Sequence, residues 1–359
     1  QAGSTGQGSN AIAIGIQAGS TGQYSNAVAI GAYAGQILQK GNAIAIGQFA
    51  GANVQNLNSI AIGAYAGQTS QQGAAIAIGA YAGQTSQQGN AIAIGQNAGL
   101  ISQQDSAIAI GQNAGQTSQQ NYAVSIGDYA GQSNQGLYAV AIGQNAGQSN
   151  QGLYAVAIGK QAGQTGQGSN AVAIGKLAGS TGQSSNSVAI GNMSGRYNQS
   201  SYAVAIGVQS GANAQSSYTV AIGAYAAEIS QQGSTVAIGA FAGQTSQGQY
   251  AIAIGYKAGY SNQGSNSIVL NATSNALNAT SNSLYINPVR TSTTGSNVLT
   301  YNTSTFEITY NTTKTFVIPH PIDNSRYLVH ACLEGPEAGV YYRGKGEIEE
   351  NKEDVEIIL

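Results

Sequence analysis

Apolar positions along this chain come in short bursts of alternation. Ala11-Ile12-Ala13-Ile14-Gly15 is the first, and its glycine recurs at 31, 47, 63 and every sixteenth residue to 255, without an insertion. Ser267-Ile268-Val269-Leu270-Asn271 and Ser283-Leu284-Tyr285-Ile286-Asn287 keep the same register with Asn in place of Gly, and Pro288 then interrupts the pattern. Alternation with period two predicts a β-strand, with Ile12 and Ile14 on one side and Ala11 and Ala13 on the other. The apolar spacing has no period of 3.6, and a glycine pair in every sixteen residues would cost a helix about 1 kcal/mol per Gly against Ala. Strict recurrence therefore predicts a parallel β-solenoid with one repeat per coil, about eighteen coils stacked at ~4.8 Å over roughly 85 Å.

Two further columns run in register with the strand. A small residue and usually Gly follow three and four residues after each strand-ending glycine, as in Ala18-Gly19 and Ala34-Gly35, and predict a second tight corner. Gln follows eight residues after it, from Gln23 to Gln263, and predicts an amide ladder along the stack. The isoleucine and valine side is expected to fill the coil. The alanine side is then expected to lie against another copy of the chain, which predicts a homo-oligomer closed around a common axis. On that assignment Ala109→Glu would place a charge between chains and dissociate or aggregate them.

Composition sharpens the division of the chain. Residues 1–270 hold five Lys/Arg and three Asp/Glu, and residues 271–359 hold six and ten. All four Pro, both His and the one Cys fall in the second part. Three regions are expected: a shaft at 1–287, an Asn/Thr/Ser-rich connector at 288–313, and a β-rich module at 314–359. Phe316-Val317-Ile318, the run Arg326–Leu333 and Val340-Tyr341-Tyr342 read as strands separated by turn signals at His320-Pro321, Asp323-Asn324 and Gly335-Pro336. A net charge of -2 with 7% charged residues offers no basic footprint for nucleic acid and no polybasic membrane patch. One cysteine excludes an intramolecular disulfide framework, and no apolar run reaches the ~18 residues of a spanning helix. Neither a signal peptide nor a lipidation motif is visible at Gln1.

Asn186-Ser187-Val188-Ala189-Ile190-Gly191 and its variants resemble the head repeat of trimeric autotransporter adhesins. That likeness implies a left-handed parallel β-roll and a trimer. Its sixteen-residue repeat is longer than is usual in that family. The tail is similar to proteins of another origin. Leu284–Arg290, Asn297–Asn302 and Glu307–Tyr310 resemble the connector that follows repeat shafts in fibre proteins of phages and large DNA viruses. Lys314–Pro321 and Tyr327–Gly344 look like a module of structural proteins of the same viruses. The resemblance implies a non-enzymatic virion fibre, a homotrimer bound to other virion proteins and exposed on the particle, where it contacts host glycan or protein. The alternative it leaves is an adhesin on a bacterial surface, which a membrane-anchor barrel after residue 359 would support. An ice-binding solenoid needs a regular threonine array, and Thr21, Thr69 and Thr117 are too irregular.

Candidate chemistry is sparse. His330, Cys332 and Glu334 would share one face of a strand, and His320 could complete a zinc set; ordinary strand positions explain them as well. A Cys-His nucleophile there would have no evident cleft, and Glu334 and Glu337 flank a Gly-Pro turn with solvated charges. No catalytic residue, cofactor or metal is therefore assigned. Aromatics recur two residues after the strand-ending glycine at Tyr33, Phe49, Tyr65, Tyr81, Tyr129, Tyr225 and Phe241, and just before the strand at Tyr122, Tyr138, Tyr154, Tyr202, Tyr218 and Tyr250. The first set could stack on sugar rings of a receptor. Stacking between coils is the plainer expectation, because Asn97, Asn113 and Asn145 occupy the same positions. Asn271, Asn278, Asn302 and Asn311 begin glycosylation acceptor sequences.

Overall fold

In the computed structural model of the chain, residues 1–291, 298–311, 315–320 and 325–331 are described. The chain divides into two compact units, Gln1–Val289 and Arg290–Leu359. The first is a parallel β-solenoid of sixteen-residue coils. Its long sheet holds 18 strands, from Ile12–Ile14 to Leu284–Asn287, each paired in parallel with the strands sixteen residues before and after it. Adjacent coils exchange backbone bonds in both directions, as in Ile12 N to Ala27 O at 2.9 Å and Gly31 N to Ile14 O at 2.8 Å. Every coil thus satisfies its strand amides on its neighbours.

A second strand was not anticipated from the alternation. Thr21–Gln23, Ile37–Gln39, Asn53–Gln55 and Thr69–Gln71 pair in parallel opposite the long sheet, as do Thr117–Gln119 to Thr165–Gln167. Their sequences, such as TSQ and SNQ, carry no β-branched alternation, so only the closure of the coil makes them strands. A third group pairs Asn213–Gln215 with Ile229–Gln231, and between the groups the second side narrows to single bridges, at Thr85, Ile101, Thr181 and Tyr197.

The two faces of the long sheet are the reverse of the expected assignment. Ala29, Ala45, Ala93, Ala109 and their equivalents have no exposed surface and form the inside of the coil, together with the alanines of the corner, such as Ala34 and Ala98. The Val and Ile columns point outward and are half-exposed, with Ile94 at 36% and Ile254 at 41%. The coil is too thin for the larger residues. A Cβ built on Gly115 would lie 3.2 Å from the Cβ of Ala109, so there is room across the coil for one methyl group against bare backbone. Ala109 is therefore a core position, and a glutamate there would bury a carboxylate inside the solenoid.

What fills the remaining interior is glutamine. Gln23, Gln39, Gln55, Gln71, Gln87 and Gln103 are fully buried, and each Nε2 donates to the Oε1 of the Gln one coil on at 3.1–3.2 Å. The same Nε2 also donates to the strand carbonyl eleven residues earlier, as in Gln103 to Ile92 O at 2.8 Å. The expected amide ladder is present, and it is the core. The glycine of the second corner makes space for it: a Cβ on Gly99 would come within 2.6 Å of Gln103 Oε1. The strand-ending glycine has a different reason. Gly95 holds a φ of 127°, and a Cβ there would meet the carbonyl oxygen of Gly111 at 2.7 Å.

The last two strands carry Val269 and Tyr285 in place of the inner alanine, and Leu277 and Ala279 of the intervening loop pack with them. In the second unit, Val298–Tyr301 pairs antiparallel with Ile308–Asn311, and Thr315–Pro319 with Tyr327–Ala331. The two expected strand runs at Phe316 and Tyr327 are thus paired. The run at Val340-Tyr341-Tyr342 lies outside the described residues.

Candidate ligand surface on the solenoid

A typical coil carries left-handed backbone at three non-glycine positions, two in its turns and one in the second strand, as at Tyr65, Ala74 and Ser70. Two of these positions are the ones that carry the aromatics: φ is 61° at Tyr65, 56° at Asn113, 58° at Tyr122 and 57° at Asn42. Asn tolerates this conformation best among residues with a side chain, which explains why Asn and Tyr share both columns. Where Asn occupies the column before the strand it forms an outer ladder, with Asn42 Nδ2 donating to Asn58 Oδ1 at 3.1 Å. Where Tyr occupies either column, stacking of rings offsets the backbone strain.

Tyr33, Phe49, Tyr65 and Tyr81 form one continuous stack, with ring centroids 4.6, 5.2 and 5.0 Å apart and planes within 18° of parallel. Tyr225 and Phe241 stack at 5.1 Å. The column before the strand behaves alike, with Tyr122, Tyr138 and Tyr154 at 5.0 and 5.3 Å and Tyr202 and Tyr218 at 5.1 Å. The separation is that of neighbouring strands. Six of the seven sequence-predicted ligand residues therefore turn their faces to each other, as inter-coil stacking requires. Tyr129 stands alone, between Asn113 and Asn145 of its column. Within a stack only ring edges and hydroxyls reach solvent.

Sequence reasoning missed the place where a stack ends. Tyr256 follows Phe241 with its ring turned 89° at 6.0 Å, and Lys257 takes the column position itself. Lys257 Nζ lies 5.2 Å from the centroid of Tyr256 and 5.6 Å from that of Tyr260. The break of period at Tyr256-Lys257 was the available signal. A second irregularity is a cavity of about 70 Å³ where Ala212 stands between Arg196 and Glu228 in a column otherwise rich in glutamine; the buried Nε of Arg196 has no partner there.

Of the acceptor sequences, Asn271 is buried, with Nδ2 donating to Tyr256 O and Asn275 O at 2.7 Å. Asn278 is exposed and donates to Ser261 Oγ at 3.2 Å. Asn302 is exposed, and its Oδ1 accepts from the backbone of Ser304 and Thr305; the side chain of Asn311 lies outside the described residues. The backbone of His330 pairs with that of Phe316, while Cys332 and Glu334 lie outside the described residues. Among the described residues no three His, Cys, Asp or Glu side chains cluster as metal ligands, and no helix is long and apolar enough to cross a membrane. Comparison with protein-family models, curated proteins and solved structures finds no match for the chain.

Proposed function

We propose that the chain is the shaft of a non-enzymatic structural fibre, a homotrimer of parallel copies on a virion surface that contacts the host. The observation that carries this reading is the uninterrupted outer strip of Val and Ile on the 18-stranded sheet. A strip of three residues per strand over eighteen strands measures roughly 85 by 10 Å, or about 850 Å². That is about what one partner contributes to a stable interface, and it is far flatter and more apolar than a solvated face needs to be. Parallel copies arranged around one axis would cover every strip equally. The partner face is thus the aliphatic one, and the alanines are spoken for by the core.

The trimer is supported by the likeness of the strand motif to adhesin heads, and the virion by the wording of Lys314–Pro321 and Tyr327–Gly344. The near absence of charge in the repeat fits a part whose positions serve stacking and assembly. Light scattering at micromolar concentration is expected to give three times the chain mass, and a monomer would overturn the assembly. Immunolabelling is expected to decorate intact particles; label confined to cell surfaces would overturn the virion placement and favour the adhesin.

A further inference from the structure

We infer that the cluster of Tyr256, Lys257 and Tyr260, where the Tyr225–Phe241 stack ends, is a binding site for a carboxylated sugar. The inference rests on the reading that the shaft contacts a host, and it names the chemistry of one contact.

Inside the stacked columns the ring faces are consumed by neighbouring rings, so a sugar meets a ring face only at the end of a stack. At the coil of Gly255 the column changes. Lys257 keeps the backbone register toward the preceding coil, its N–H bonding to Ala240 O at 3.0 Å, while toward the following coil the pattern changes and its carbonyl accepts from Leu277 N at 3.2 Å. Tyr256 is 41% exposed and perpendicular to Phe241, and Tyr260 sets a second ring 5.6 Å from the ammonium.

Lys257 differs from the other cations that lie on rings. Lys40 sits 4.5 Å over Tyr24 and donates to its hydroxyl, and Arg196 lies over Tyr197 alone. Lys257 Nζ faces two rings and has neither a carboxylate nor a hydrogen-bond acceptor among the described residues. The three acids of the repeat region, Asp105, Asp128 and Glu228, all lie in earlier coils. An ammonium set beside two aromatic rings and left without a counter-ion favours an anion. Rings beside it favour the C–H face of a pyranose. A bare sulfate would satisfy only the first demand and a neutral sugar only the second. A sugar carboxylate at Nζ with its ring against Tyr256 or Tyr260 satisfies both.

The test uses the full chain with glucuronate, glucose and sulfate as probes, read by saturation-transfer NMR and titration. Glucuronate is expected to bind about tenfold more tightly than glucose, and Lys257→Gln to remove that preference. Tyr260→Ala is expected to weaken glucuronate, and Lys40→Gln to leave it unchanged. Equal binding of glucose, an unchanged Lys257→Gln variant, or displacement by sulfate as effective as by glucuronate would each overturn the site. Cell binding separates the two readings. If wild type and Lys257→Gln attach equally, the host-contact reading stands and this site falls; if wild type binds glucuronate but attaches to no cell, the reverse holds.

Discussion

Gln231 is the one glutamine of the buried ladder, from Gln23 to Gln263, that does not donate to the strand carbonyl eleven residues before it. Its coil is also the one that carries Ala227, at φ 48°, in place of the corner glycine. Elsewhere a Cβ at that corner would come within 2.1–2.8 Å of the glutamine amide, so the methyl of Ala227 displaces Gln231 from Val220 O. Ala227→Gly is expected to restore the bond and relieve left-handed strain, stabilising the solenoid by about 1–2 kcal/mol against the usual sign of Ala→Gly. The check is a higher thermal midpoint by circular dichroism, and a lower one would reject this account. Ser125 shows how finely the ladder is set. Its hydroxyl, in place of an inner alanine, donates to Gln135 Oε1, the link from Gln135 to Gln151 is lost, and Gln151 Oε1 is left buried without a partner.

At the scale of the element, a coil is two short strand segments, two turns and one buried amide, and none of these is stable without the coils beside it. The alanine core reflects this, running unbroken from Ala18 to Ala114 and from Ala130 to Ala189, and changing cluster near Ser125 and near Ser194 and Ser210. Replacing an interior rung by an acid tests the ladder directly. In Gln103→Glu the ionised carboxylate would be buried, would accept but not donate, and would face Gln119 Oε1 and Ile92 O, so its folded pKa is raised. The unfolded side chain titrates near 4.3. Between that value and the folded pKa the folded state holds the extra proton, so stability falls as pH rises through this window. Thermal midpoints that fall from pH 4 to pH 7 relative to wild type are the expected result; pH-independent midpoints would place this residue in contact with water.

For the whole solenoid, the outer Val and Ile strip decides association. Ile126→Glu with Ile174→Glu puts charge at two points of that strip, three coils apart, where each side chain is 37% exposed. The coil interior is untouched, so circular dichroism is expected to stay β-rich while light scattering drops to the mass of one chain. Loss of the fold together with the assembly would show that these residues are core, as the alternation alone had suggested.

The chain's sequence by itself determined the repeat, its parallel stacking, the two glycine corners, the amide column and the inter-coil stacking of aromatics. All of these are local or translational: a sixteen-residue period forces like residues to meet, whatever the cross-section of the coil. Which face of Ala-Ile-Ala-Ile is inside was read the wrong way round from the sequence, since both faces are apolar and the larger side chains were expected to fill the coil. The tertiary structure decided it through distance. Across the coil Ala109 meets the bare backbone of Gly115 and a buried glutamine, and that gap admits a methyl but no isoleucine. The Thr21–Gln23 type of strand was equally hidden, because it exists only where the closing coil sets it opposite the long sheet. The cluster at Lys257 could not be read either, since its meaning depends on the ring faces that stacking elsewhere removes and that the end of a stack leaves open.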